Sequence, residues 1–139
     1  VTVKGDINIG MAVSVDEGLM VPVIANADQL SLEDIAEQSQ EAARNARRGI
    51  SKSNAVGTFT VSNLGMFGVE VFPIINPPEA AILGVGTIRD EVKPFGAGMA
   101  VRKILKLVIS GDHRAVDGAY AAQFLAQLKQ DLEGHNLAD

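Results

Sequence analysis

Two segments of the chain carry apolar residues at helical spacing behind a polar residue suited to cap a helix. In residues 31–48, Ser31 is a fitting N-cap, and Asp34 three positions on resembles the partner of a capping box. The second segment, 118–133, follows Asp117, a plausible N-cap. The residues predicted to face the core are Leu32, Ile35, Ala36, Ala42, Ala43 and Ala46 in the first helix, and Ala121, Phe124, Leu125, Leu128 and Leu132 in the second.

Around these helices, runs of β-branched and apolar residues alternate with turn-forming residues, which predicts strands. The predicted strands are one long or two short strands in 1–15, one in 20–27 whose Pro22 suggests an edge or a strand start, one in 57–68 that enters a glycine-bearing loop, a fully buried one in 80–88, and one in 99–110. Turns are predicted at 16–19 and near 94–98, and a stiff proline loop at 73–79. This order of elements predicts an α+β fold, with helices packed on a mixed β-sheet.

Composition narrows the classes of partner and site. The 139 residues suit one domain with a real core, and 47% of them are apolar. A net charge of −5 without a basic block gives no electrostatic reason to expect nucleic acid or an anionic membrane. No apolar stretch approaches membrane-spanning length. There are no cysteines, which excludes thiolate sites, and two distant histidines are a poor metal set, so no metal is expected.

The stretch 108–125, VISGDHRAVDGAYAAQFL, is the strongest candidate for chemistry. His113 lies where a strand ends and before a helix begins, a junction that often positions functional side chains. With an unperturbed pKa of about 6.5, histidine can take and return a proton near neutral pH. On spacing alone, however, His113 could equally bond a backbone carbonyl, and Asp117 could act as a helix cap. We expect His135, in the polar C-terminal tail, to be inert.

DHRAVDG (112–118) resembles the DHRxxDG signature of the E2 components of 2-oxo acid dehydrogenase complexes, the dihydrolipoamide acyltransferases. GTFTVSNLGMFG followed by FPIINPPEAAILGVG, and INIGMAVSVDEGLMVPVI near the start, resemble the same family. The resemblance runs nearly end to end and implies a chloramphenicol-acetyltransferase-like fold. It also implies that the N-terminal portion of the catalytic domain is missing, so that 1–139 would be a partial catalytic domain without lipoyl or subunit-binding domains.

The resemblance implies transfer of an acyl group, most similar to the acetyl branch of the pyruvate dehydrogenase complex, between dihydrolipoamide and coenzyme A. His113 would be the general base that deprotonates the thiol, and Ser62 would donate a hydrogen bond to the oxyanion. Asp117 would also be catalytic, holding the active-site conformation through an ionic partner, and Arg114 would form a structural ion pair. The three residues after the serine are expected to contact substrate: Asn63, Leu64 and Gly65.

The family also implies partners. Its cores are trimers built into larger shells, with His113 of one chain meeting Ser62 of the next. Met66 and Phe67 would then pack against a neighbouring subunit. The E1 and E3 components would bind through domains absent from this chain, and no cofactor would be bound here, because the lipoyl lysine belongs to such a domain. The expected setting is the bacterial cytoplasm or the mitochondrial matrix.

Two alternatives remain open at this point. A chloramphenicol-acetyltransferase-like enzyme would use the same histidine to acylate a hydroxyl instead of a thiol. A truncated core subunit would assemble as a scaffold without turning over. The choice of acceptor separates the first alternative from the E2 hypothesis, and particle size measured together with activity separates the second.

Overall fold

The computed structural model describes residues 1–70 and 73–135, which form a mixed sheet, two small antiparallel ribbons and two helices. The strands are β1 (Ile9–Met11), β2 (Val13–Val15), β3 (Gly18–Met20), β4 (Val23–Ile24), β5 (Phe59–Asn63), β6 (Ala81–Val85), β7 (Arg89–Phe95), β8 (Gly98–Ile104) and β9 (Leu107–Gly111). The helices are α1 (Leu32–Arg47) and α2 (Gly118–Gly134), with short 3-10 turns at Ala27–Gln29 and Gly65–Phe67. Neither helix within this described part of the chain is long and apolar enough to cross a bilayer.

The central sheet has five strands in the order β4-β1-β5-β6-β9. β1, β5 and β6 run parallel, whereas β4 and β9 run antiparallel at the two edges. The core is densest on β6, where Ala81, Ile82 and Leu83 are buried, as its continuous apolar run predicts. β4 is an edge strand, which agrees with the position of Pro22 just before it. The predicted mixed sheet with packed helices is confirmed.

Helix α1 begins with the predicted capping box. The Ser31 hydroxyl accepts a hydrogen bond from the Asp34 amide at 3.1 Å, and the Asp34 carboxylate accepts one from the Ser31 amide at 3.4 Å. Ala46 is fully buried, but Leu32 and Ala36, predicted to face the core, are exposed. The prediction is wrong for these two because the buried and half-buried positions of α1 concentrate in its second half.

The β7–β8 ribbon corrects the predicted strand at 99–110. That segment contains two strands, since β8 ends at Ile104 and β9 begins at Leu107, and β8 pairs with β7, which the pattern did not predict. Pro94 belongs to β7, and the turn itself falls at residues 96–97. The ribbon lies outside the main sheet, so both of its faces meet solvent and carry charges, and the apolar alternation that marks a strand is absent.

The strands in the N-terminal third of the chain are also shorter than predicted. Residues 1–15 hold two short strands, β1 and β2, which was one of the two expected forms. In 20–27 only β4 is a main-sheet strand, since Met20 ends β3. The predicted turn at 16–19 is confined to Asp16 and Glu17, because Gly18 already begins β3.

Helix α2 packs along β9, the edge strand, and its Phe124 ring lies 5.8 Å from that of Phe59, measured between centroids. The predicted core face is nevertheless only partly covered, because no residue of α2 is buried and Phe124 is 41% exposed. Because β9 is at the edge of the sheet, no further strand of the described residues lies beyond it to cover the rest of the helix. A single chain therefore leaves much of the apolar face of α2 open.

Candidate active site

His113 stands on a tight turn that continues β9. The ladder of β9 extends one residue past its end, because the Asp112 amide donates to the carbonyl oxygen of Ala80 at 2.7 Å. The Asp112 carbonyl then accepts hydrogen bonds from the amides of Ala115 at 2.8 Å and Val116 at 2.9 Å. The side chain of His113 is exposed at the tip of this turn. A fixed backbone with an outward imidazole suits a group that must meet a substrate from outside its own chain.

Asp112 and Arg114 form a closed ion pair around His113. One Asp112 carboxylate oxygen accepts from the Arg114 amide at 3.0 Å and from Nε at 2.9 Å, and the other accepts from Nη2 at 2.6 Å. The hydrogen bond from the Arg114 side chain, assisted by its amide, lowers the pKa of Asp112 to about 2. The ion pair predicted for Arg114 is therefore present, and its partner is the residue on the other side of the histidine.

Asp117 caps helix α2. Its carboxylate accepts a hydrogen bond from the Tyr120 amide at 2.8 Å, and its carbonyl accepts one from Ala121 at 3.1 Å. The contact that the structure gives this aspartate is thus with its own helix. Because Asp117 joins the His113 turn to α2, the cap fixes the end of that turn, which agrees with a conformational role for the carboxylate.

Ser62 lies half-buried near the end of β5, paired with Gly84 of β6. Two residues earlier, the hydroxyl of Thr60 donates to the Glu79 carboxylate at 2.6 Å, and Thr60 is only 1% exposed. This bond ties the proline loop to β5. Ser62 therefore lies on a strand that is hydrogen-bonded to β1 on one side and β6 on the other, and that is also bonded to the proline loop through Thr60 and Glu79.

The three residues predicted to contact substrate form the turn after Ser62. The Asn63 side-chain oxygen accepts from the Gly65 amide at 2.9 Å, and the Leu64 amide donates to the carbonyl of Val85 at 3.1 Å. A Cβ on Gly65 would lie 2.8 Å from the carbonyl oxygen of Gly86, so only glycine fits there. These contacts give Asn63, Leu64 and Gly65 a role in shaping the turn. Contact with substrate stays a prediction.

An ion cluster that the sequence did not indicate holds the far side of this turn. Glu70 bonds Lys106 at 2.6 Å and Arg89 at 2.8 Å, and the Thr87 hydroxyl donates to the carbonyl of Gly65. The hydrogen bond and charge of Lys106, with a smaller contribution from Arg89, hold the pKa of Glu70 below its usual value. The three charges lie far apart in the sequence, on strand β7 and in two connecting segments, so no local spacing could have revealed them.

Ser62 and His113 of one chain lie toward opposite ends of the sheet. Ser62 is level with Gly84, whereas Gly111 is level with Ala81, and the ladder then continues away from Ser62 through Asp112. Three residues along a strand and two strand spacings put the Cα atoms of Ser62 and Gly111 about 14 Å apart, with His113 beyond. The structure does not bring Ser62 and His113, two of the three residues predicted to be catalytic, together within one chain.

The fold and this arrangement were compared with known proteins. Residues 1–138 match the family described as 2-oxoacid dehydrogenases acyltransferase (catalytic domain). The chain belongs to this family. Among its acyltransferase relatives, the dihydrolipoyllysine-residue acetyltransferase component of the acetoin cleaving system of Bacillus subtilis is 46% identical over 130 residues, which are 91% of this chain and 33% of that protein.

Solved structures of family members share the fold. Dihydrolipoamide acetyltransferase (E2p) of Azotobacter vinelandii matches with a TM-score of 0.86 and 41% identity, over 93% of this chain and 54% of that one. The cubic core of a pyruvate dehydrogenase multienzyme complex matches with a TM-score of 0.86 and 40% identity, over the same shares. The chain thus spans about a third of the curated acyltransferase and just over half of the solved ones.

The Azotobacter structure was determined in an investigation of the roles of a serine, a histidine and an asparagine in the catalytic mechanism. In that acetyltransferase the asparagine follows the histidine by four positions and the serine precedes it by 52. In the present chain Asp117 follows His113 by four positions and Ser62 precedes it by 51. The spacings agree to within one residue, with a carboxylate in place of the amide.

Proposed function

We propose that this chain is part of an acyltransferase catalytic domain that moves an acetyl group between dihydrolipoamide and coenzyme A. The observation that carries the proposal is the exposed His113 on a hydrogen-bonded turn at the end of β9. This turn is formed by the DHRAVDG motif, which resembles the family signature. The family membership supports thiol substrates over hydroxyl acceptors. The spacing of serine and histidine in the Azotobacter enzyme supports Ser62 as the second catalytic residue. Relatives in Bacillus subtilis and in the mitochondrial complex of Schizosaccharomyces pombe fit the bacterial cytoplasm or the mitochondrial matrix as the setting.

In the proposed reaction, His113 takes the proton from the coenzyme A thiol. The thiolate sulfur then forms a bond to the carbonyl carbon of acyl-dihydrolipoamide, and the carbonyl oxygen becomes an oxyanion that the Ser62 hydroxyl stabilises by a hydrogen bond. When the tetrahedral intermediate collapses, the bond to the dihydrolipoamide sulfur breaks. The protonated His113 returns its proton to that sulfur, which leaves acyl-coenzyme A, dihydrolipoamide and a neutral histidine.

The site requires a second copy of the chain in this proposal. Ser62 and His113 lie toward opposite ends of one sheet, so each would complete a site with the neighbouring copy. The exposed apolar residues support self-association, because Met66 and Phe67, shortly after Ser62, are mostly exposed in one chain and Phe124 on α2 is partly exposed. Trimers built into a larger core, with E1 and E3 bound through other domains, are the assembly that the family and the cubic-core relative support.

The test is acetyl transfer from acetyl-coenzyme A to free dihydrolipoamide, with a hydroxyl acceptor alongside. We expect thiol-specific transfer that His113→Ala abolishes and His135→Ala, the matched change at the other histidine, leaves unchanged. Particle size is measured on the same samples. Transfer to the hydroxyl instead would favour the chloramphenicol-acetyltransferase type. Large particles that give no transfer in any variant would refute catalysis by this chain and make it a scaffold.

A further inference from the structure

Asp112 and Arg114, the residues on either side of His113, form an ion pair whose contacts bear on the turn more than on the stability of the fold. Arg114 is almost wholly exposed, with 89% of its side chain accessible, so its pairing with Asp112 contributes little to the stability of the fold. Yet Asp112 makes bonds to three residues on the far side of the histidine, through its carboxylate and its carbonyl. We propose that Asp112, closed by Arg114, is a positioning residue that holds the His113 turn in its reactive conformation. This inference rests on the proposed role of His113 as general base.

The contacts of Asp112 define the turn on both sides of His113. Before the histidine, the Asp112 amide is fixed to Ala80 of the neighbouring strand connection. After it, the Asp112 carboxylate accepts from the Arg114 amide, and its carbonyl accepts from Ala115 and Val116. Val116 in turn lies over Gly111, 3.6 Å from where a Cβ would be. The backbone of His113 is therefore held on both sides, which fixes the position from which its imidazole projects.

Arg114 completes these contacts instead of reaching outward. Its Nε and Nη2 groups both donate to Asp112, at 2.9 Å and 2.6 Å, so one of the two guanidinium edges that suit a carboxylate or phosphate is already occupied. A planar, two-point contact restricts the carboxylate better than a lysine ammonium would. The arginine is thus assigned to holding Asp112, and through it the histidine, and not to binding substrate.

The experiment is a double-mutant cycle on the assembled protein with Asp112→Asn, Arg114→Gln and both changes together. Asp112→Asn keeps an oxygen that can accept from the Arg114 amide but loses the charge. Control variants are Glu133→Gln and Lys129→Gln, an exposed pair at the far end of α2, about 18 to 24 Å along the helix axis from Asp117. Acetyl transfer is measured as kcat and KM for both substrates, with particle size as a check on assembly.

We expect kcat to fall about tenfold or more in each single variant, with both KM values changed less than about twofold. The double variant should be no slower than the slower single one, because both changes remove the same unit. Asp112→Glu, which keeps the charge on a longer stem, should recover part of the rate. If Asp112→Asn fails to assemble, Arg114→Gln serves alone, since it removes only an exposed side chain.

Three results would overturn the inference. The first is an Asp112→Asn kcat equal to that of the controls. The second is a loss of kcat in the double variant equal to the two single losses combined. The third is a rise in KM for coenzyme A at unchanged kcat, which would place the pair in substrate binding. A wild-type chain without His113-dependent transfer refutes the proposed function itself. A wild-type chain with such transfer but insensitive to Asp112 refutes only the inference.

Discussion

Because Ser62 and His113 lie toward opposite ends of the sheet, two inactive variants of this protein should repair each other when mixed. The first variant is His113→Ala, which keeps Ser62, and the second is Ser62→Ala, which keeps His113. If each site takes its histidine from one copy and its serine from the neighbour, a mixed assembly contains sites in which both are intact. Neither variant can form such a site alone.

The expected recovery follows from the geometry. The Cα atoms of Ser62 and Gly111 are about 14 Å apart, and His113 lies beyond, whereas a base and an oxyanion donor must reach atoms two bonds apart. In a closed ring of equal, randomly mixed copies, about one site in four has both residues. The Ser62→Ala protein alone should keep about a hundredth of the wild-type rate. Mixing should therefore raise the rate about 25-fold above that variant.

The assay unfolds the two variants together, refolds them, and measures acetyl transfer per particle alongside each variant refolded alone. As a control, wild-type chain is mixed with the double variant carrying both changes. Sites shared between copies predict that about a quarter of the activity is kept, whereas sites within one chain predict about a half. A mixture no faster than the mean of its two variants, together with a half-active control, would refute the shared site.

Further predictions concern the turn, the helix cap and the ion pair. Gly65→Ala should destabilise the protein by about 1–3 kcal/mol, because its Cβ would meet backbone, while Gly5→Ala, with open space around it, should be neutral in thermal unfolding. Asp117→Ala should cost about 1 kcal/mol in urea denaturation through loss of the cap, and Asp117→Asn should cost less, since an amide oxygen still accepts from the helix. Because the folded pKa of Asp112 is depressed from 3.8 to about 2, its pairing stabilises the fold above pH 4 and is lost as the pH falls to 2. The stability difference between wild type and Asp112→Asn should therefore shrink over that interval, and a constant difference in pH-dependent unfolding would contradict it.

Elements with a strong local signal were predicted well. The capping box of α1 and the continuous apolar run of β6 each depend on neighbouring residues in the sequence, and both are present. Strand β7 was not predicted, because a strand with both faces in solvent lacks the alternation of apolar and polar residues that marks a strand, and β8 was predicted only as part of one longer strand at 99–110. The exposed face of α2 was predicted as core, because periodicity shows which residues share a face but not whether another layer covers it.

In the site, too, contacts between residues close in the sequence were easier to predict than contacts between distant residues. The helix cap at Asp117 was expected from the sequence, since its partner lies three residues away, whereas the ion pair of Arg114 came from the family resemblance without a named partner. Ser62 came from the family resemblance alone, because Ser53 and Ser110 look equivalent in the sequence. In the structure those two hydroxyls serve local needs: Ser53 accepts from the Ala55 amide, and Ser110 donates to the Pro73 carbonyl.

The bond between Thr60 and Glu79 makes distant positions depend on one another during evolution. A Cβ on Gly57 would stand 2.5 Å from the Glu79 carboxylate, and one on Gly10 would stand 2.9 Å from the Thr60 hydroxyl. Moving the Glu79 carboxylate aside would leave the buried Thr60 hydroxyl without its hydrogen-bond partner. A substitution at Gly57 should therefore cost less on a background in which the Thr60–Glu79 pair has already changed, whereas a Cβ on Gly10 would still lie 2.9 Å from the Val21 side chain. The order in which Gly57, Thr60 and Glu79 are replaced therefore decides whether the buried hydroxyl on the strand that carries Ser62 keeps its partner.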